Sequence, residues 1–167
     1  MTISMYQASV PVLAKALTAM AAILDKAIAH CQAKKIDPGV FVNYRIAPDM
    51  LPFKAQIYIM TDQAKGCVAR LAGVDVPSYP DTEATLEDLK ARVLKTAEYV
   101  QSFKANQIDG TEEKDITLKF GQNEYKFKGQ GYLLGNVIPN VFFHQTTAYN
   151  ILRHNGVEIG KGDFLGR

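Results

Sequence analysis

The stretch Phe142-Phe143-His144-Gln145-Thr146-Thr147-Ala148-Tyr149-Asn150-Ile151-Leu152-Arg153-His154-Asn155-Gly156 decides the fold. Together with the preceding Val141, the residues His144, Ala148, Ile151 and Leu152 fall on one face at steps of three, four and seven, which is a helical period. Asn155-Gly156 supplies a strong C-terminal stop. A helix with one core-facing stripe must bury it against other elements.

Working outward, the same helix is expected to begin near residue 131. Pro139 lies inside it, where a missing N–H predicts a kink or a break into two pieces. Just upstream the period changes. Ile116, Leu118 and Phe120 alternate with Thr117 and Lys119, and Tyr125 and Phe127 alternate with Lys126 and Lys128. Two strands around Gly121-Gln122-Asn123-Glu124 are predicted. A lone hairpin is marginal in water, so it should lie against the helices with its lysines in solvent. Downstream, Ile159, Phe164 and Leu165 among Gly160, Gly162 and Gly166 predict an ordered, apolar-anchored tail.

Three more helices precede the hairpin. Val10, Leu13, Leu17, Met20, Leu24, Ile28 and Cys31 mark a core helix over residues 4–35, with Pro11 at its first turn or at a kink, ending before Asp37-Pro38-Gly39. A link over 40–47 leads to a helix entrance at Pro48-Asp49-Met50-Leu51-Pro52. The second stripe, Phe53, Ile57, Met60, Ala64, Cys67 and Leu71, spans 52–72. The third helix begins among Asp81, Thr82, Glu83, Thr85, Glu87 and Asp88, acidic residues that favour a helix N-terminus, with Thr85 and Asp88 at capping-box spacing. Leu86, Leu89, Val93, Thr96, Val100 and Phe103 carry it to about residue 106. The expected architecture is all-α: a four-helix bundle with a small β-hairpin before the last helix and long connections at the first and third links.

The length of 167 residues suits one well-filled core, so a single domain over 1–167 is expected. A formal charge of +2, spread along the chain, is no footprint for nucleic acid. Asp25 interrupts the apolar run 19–24, which excludes a membrane span there. No signal peptide is evident, so a cytoplasmic protein is expected. Cys31 and Cys67 sit in apolar helical patterns and read as buried thiols.

The polar residues within these helices are the candidates for chemistry. His144 falls on the core side, where an imidazole needs a partner. It reads either as a structural histidine bonded to a neighbouring helix or as a ligand or acid/base group. Gln56 and Gln63 flank the second stripe, as interhelical hydrogen-bonding residues or as the lining of a small pocket in which Gln56 meets His144. Tyr149 and Arg153 share another face of the last helix, suited to stacking or partner contact, with Tyr149 also a catalytic candidate beside His144. His154 lies ten residues beyond His144, about 15 Å along an ideal helix, so one straight helix cannot bring both to one ion. His154 and His30 read as residues that interact with free carbonyls at helix ends. Gly156-Val157-Glu158-Ile159-Gly160-Lys161-Gly162 lacks the spacing and the Ser/Thr of a phosphate loop, and Gly129-Gln130-Gly131 lacks the third glycine of a dinucleotide turn.

Several local signatures act together: Met5-Tyr6-Gln7-Ala8-Ser9-Val10-Pro11, Ala47-Pro48-Asp49-Met50, Ala64-Lys65-Gly66, Arg70-Leu71-Ala72-Gly73, Pro80-Asp81-Thr82-Glu83, and Phe143-His144 through Thr146-Thr147-Ala148-Tyr149 to Ile151-Leu152-Arg153-His154-Asn155-Gly156-Val157. In these the chain resembles the bacterial family catalogued as domain of unknown function nineteen ninety-three, a branch of the DinB/YfiT-like metalloenzyme superfamily. The resemblance implies a DinB/YfiT-like four-helix bundle, commonly a homodimer. It also implies a divalent-metal site built from one histidine on the second helix and a His-x-x-x-His pair on the last, and in some members thiol-dependent transferase or isomerase activity. Carried onto this chain, only His144 matches a ligand position. Ala148 stands at the second place of the pair, and the second helix offers Gln56, Asp62 and Gln63 but no histidine. No full ligand set for a metal is therefore expected.

Two functional expectations follow. One is a dimeric helical bundle that binds a small molecule or serves as a stress-accessory protein, with Gln56, Gln63, His144 and Arg153 as ligand-binding candidates. The other is a metal- or thiol-dependent transferase or hydrolase that uses His144 as ligand or general base, with Gln56 and Tyr149 around it.

Overall fold

A computed structural model of the chain describes residues 2–167, with Phe120 described by its backbone alone. Helix α1, Met5–Lys34, opens with a capping box. The Gln7 N–H donates to the Ser4 hydroxyl at 3.2 Å, and the Ser4 N–H donates to the Gln7 side chain at 3.1 Å. Pro11 lies within the helix, which runs on unbroken to Lys35. The next turn corrects the sequence reading. Asp37-Pro38-Gly39 ends α1 but also starts α2, Pro38–Asn43, inside what the sequence presents as a plain link. The Asp37 carboxylate caps the Gly39 N–H at 2.9 Å and Pro38 takes the first helical position, so the residues that stop one helix nucleate another.

Helix α3, Phe53–Ala72, starts at Pro52 without a side-chain cap, so Asp49 does not have the expected entrance role. Helix α4, Leu86–Gln101, carries the Thr85/Asp88 capping box. It stops short of residue 106; α5, Ala105–Ile108, is a separate turn that buries Ile108. Strands β1, Asp115–Phe120, and β2, Asn123–Lys128, pair antiparallel from Asp115↔Lys128 to Phe120↔Asn123. Ile116 and Leu118 are buried, whereas Lys119 and Lys126 are exposed, as the alternation requires. The hairpin leads into α6, Gly129–Gly131, where a Cβ at residue 129 would sit 2.0 Å from the Thr111 carbonyl oxygen. Gly129 serves a close backbone approach.

The sequence reading expects a kink or a break into two pieces at Pro139, but the helix is not divided there: a π-helical segment, Tyr132–Val137, leads directly into α7, Ile138–His154. Proline cannot donate to the carbonyl four residues back, and its ring crowds that carbonyl; the wider turn just before it relieves both. Gly156, at φ +86°, turns the chain out of α7. The tail ends in α8, Lys161–Phe164. Its Asp163 pairs with Lys26 at 2.6 Å, and its Phe164 packs on the rings of Phe142 and Tyr149.

Helices α1, α4, α3 and α7 surround one core in that cyclic order, leaving α1 diagonal to α3 and α4 diagonal to α7. Helix α1 runs antiparallel to α4, as the Asp25–Lys90 ion pair near one end and the contact of Tyr6 with Asp109 beyond the other show. Helix α3 runs antiparallel to α7, since Gln56 meets His144 and Arg70 meets Tyr132. Helices α3 and α4 are parallel: Thr61 bonds Arg92, and Lys65 and Lys95 both lie against Tyr79. The order is thus up, down, down, up. The connection 73–85 has to return along the bundle, and thirteen extended residues reach about 43 Å, more than the roughly 30 Å length of α3. The sequence reading places long connections only at the first and third links; of the three links it is this second one that runs the length of the bundle. Among the described residues, no helix is long and apolar enough to cross a membrane.

Candidate functional site

His144 lies on α7, half-buried, with its Nδ1 at 2.7 Å from the Gln56 side-chain oxygen on α3. Gln56 is only 2% exposed, and its Nε2 donates to the Leu51 carbonyl at 2.9 Å. That second bond orients the amide so that its oxygen faces the imidazole, and the tautomer follows from the network: Nδ1 carries the proton and Nε2 keeps its lone pair. Burial lowers the His144 pKa below the ordinary histidine value, so the ring is neutral at pH 7. The exposed Phe143 ring stands edge-on to the imidazole at 5.2 Å. The result is a fixed, uncharged acceptor at the rim of the α3–α7 seam, more open to solvent than a core position.

The structure joins Gln56 to His144 and separates the other candidates from them. Tyr149 faces the tail: its hydroxyl donates to the Ile159 carbonyl at 3.5 Å and its ring packs against Phe164. Arg153 is exposed on the last turn of α7, and Gln63 is half-buried two turns along α3 from Gln56. His154 lies 6.1 Å from Tyr44 and His30 lies 6.1 Å from Phe41, ring centre to ring centre, so each histidine has its own surroundings. Ala148, one turn beyond His144, is fully buried and offers no ligand atom. Among the described residues, no group of three or more His, Cys, Asp or Glu side chains lies together. The donor set does not fit a three-histidine metal site, because one imidazole and an amide already bonded at both ends leave the ion's remaining positions without protein ligands. Cys31 and Cys67 are buried free thiols; burial raises both pKa values, that of Cys67 to about 12. Neither is a ready thiolate.

A second polar cluster escapes the sequence reading. Arg92 on α4 is 4% exposed. Its guanidinium donates to the Thr61 hydroxyl at 2.9 Å, the Pro80 carbonyl at 3.1 Å, Glu83 at 3.2 Å and Asp62 at 3.1 Å, with Asp81 at 3.0 Å. Burial works to lower the Arg92 pKa, but the carboxylates of Glu83, Asp62 and Asp81 outweigh it and raise the value. Asp81 and Glu83 therefore bind Arg92 from the loop before α4 and do not form its first turn. Lys65 pairs with Asp62, and Tyr79 lies against Lys65, Arg92 and Lys95. A depression of about 420 Å³ opens beside Tyr79, Glu83, Arg92 and Lys95. With its donors turned to protein acceptors, Arg92 is a clamp that fastens the crossover 73–85 to α3 and α4. The available signal was an arginine inside the stripe between Leu89 and Thr96, with acidic residues just upstream.

Comparison with known proteins agrees with this fold. A crystal structure of a DinB family member protein from Shewanella denitrificans superimposes with a TM-score of 0.87 at 37% identity, covering 97% of this chain and 92% of that one. No curated protein matches the chain. The family described as domain of unknown function (DUF1993) matches residues 5–165, and the chain belongs to that family, within the DinB-like proteins.

Proposed function

We propose that this protein is a small-ligand-binding helical bundle that works as a homodimer, with neutral His144 as the polar anchor of its site. The observation that carries this reading is the His144–Gln56 bond at 2.7 Å, because it holds Nε2 as an acceptor at a rim flanked by exposed Phe143 and Leu51. Those apolar neighbours supply area for a ligand or for a second copy of the chain. The donor set argues against a metal as the anchor.

The test is nuclear magnetic resonance screening of a fragment library against the labelled protein and its His144→Ala variant, with metal analysis after purification without chelator. Fragments that perturb the His144 ring saturably, and are lost in the variant, support the reading when metal is far below one ion per chain. One divalent ion per chain that disappears in His144→Ala would replace it. Light scattering after size exclusion reads the dimer, and a monomer at working concentrations would remove that part. A transferase or hydrolase reading has one specific support: an imidazole with a free Nε2 and a lowered pKa is competent as a general base. Turnover of a thiol adduct that His144→Ala abolishes would establish it.

A further inference from the structure

The seam between α3 and α7 continues past His144. Its two ends are fixed by bonds to α3, at His144–Gln56 and at Tyr132–Arg70, the latter 2.9 Å. Between them Asn136 and Asn140 follow at steps of four, so Tyr132, Asn136, Asn140 and His144 form one column. On a straight α-helix such a column drifts about 40° per step, roughly 120° in total. The wider π-helical turns over Tyr132–Val137 offset part of that drift and keep the column toward α3. The Nδ2 of Asn136 and the Oδ1 of Asn140 are both buried, and neither has a hydrogen-bond partner. Buried amide groups are normally paired, because leaving one unpaired carries the desolvation cost with no return.

We propose that the site at His144 extends along this seam over Asn136 and Asn140 and takes an uncharged ligand end that carries an acceptor beside a donor, as a primary carboxamide or a urea does. This extension rests on the His144 reading. As the two amides stand, the Asn136 side-chain N–H group donates to the ligand carbonyl, while Asn140 Oδ1 and His144 Nε2 accept from its N–H groups. A carboxylate would bond there only with the Asn140 amide turned over, and an ammonium only with the Asn136 amide turned over. Either charge would also lose its hydration beside a column that carries no counter-charge. The π-helical segment, which Pro139 favours, is the device that brings the two amides into the seam.

Acetamide is the probe, titrated into ¹⁵N-labelled full-length protein while the side-chain amide signals of Asn136 and Asn140 and the ring nitrogens of His144 are followed. Saturable shifts at all three residues are expected. Acetate, methylammonium and N,N-dimethylacetamide, the last lacking N–H donors, should bind at least tenfold more weakly. Asn136→Leu with Asn140→Leu should weaken the acetamide effect at His144 at least tenfold. The dimethylacetamide comparison needs no variant and stands if that double variant fails to fold. Equal binding of acetamide and dimethylacetamide would overturn the proposal. Shifts at His144 with none at the asparagines would overturn the extension and leave the His144–Gln56 site standing, and no saturable shift at any of the three would overturn the extension as well, the His144 site being decided by the fragment screen.

Discussion

Replacing Gln56 by glutamate tests the central contact of the site. The introduced carboxylate occupies the place of the amide oxygen now 2.7 Å from His144 Nδ1. With charge centres about 4 Å apart and an effective dielectric near 20, the attraction for a protonated imidazole is about 4 kcal/mol, an upper bound of about 3 pKa units. Partial exposure of the ring and the cost of burying the carboxylate reduce it, so Gln56→Glu should raise the His144 pKa by roughly one to three units over the wild type. The assay is a ring-proton titration of both proteins. In the wild type the folded pKa lies below the unfolded one, so the neutral ring contributes stability above the unfolded value and loses it as pH falls through the folded one. In the variant the sign reverses: the pair stabilises below the unfolded value and its contribution fades as pH rises through the folded one. Melting curves around pH 6 should therefore slope in opposite directions. A His144 titration unchanged by the substitution would refute the contact and the neutral tautomer built on it.

Arg92→Met removes the clamp while leaving Glu83 largely buried. Losing one partner of such a pair costs about 3–5 kcal/mol, which at this chain length lowers Tm by roughly 6–20 °C. Thermal unfolding measures this, with faster proteolysis within 73–85 as a second readout, and a loss below about 1 kcal/mol would show that the crossover is held by other contacts. Gly129→Ala forces a shift of the hairpin base against Thr111 and should cost about 1–3 kcal/mol in urea unfolding. Cys67, with its thiol pKa pushed up to about 12, should resist an aromatic disulfide reagent at pH 8 in the native protein and react readily once unfolded.

The sequence by itself determined the four core helices, the hairpin and some of the caps, because these depend on neighbours three to four residues away or on alternation. The Thr85–Asp88 box, the Asn155-Gly156 stop and the Leu13-Leu17-Met20-Leu24 stripe are all local signals. The Gln56–His144 contact was legible as one of two readings, since each residue lay on or beside a core-facing stripe. The tertiary structure alone decided which stripe faces which. Parallel packing of α3 and α4 turns the link 73–85 into an end-to-end crossover, and that path brings Asp81 and Glu83 back to Arg92. Tyr149 was assigned to the tail by the same kind of long-range event, the docking of Phe164 on α7. The way the last helix accommodates Pro139 also belongs to the tertiary level. Proline removes one rung of the α-helical ladder, and the π-helical turn before it accompanies a column whose two ends, Tyr132 and His144, both reach α3.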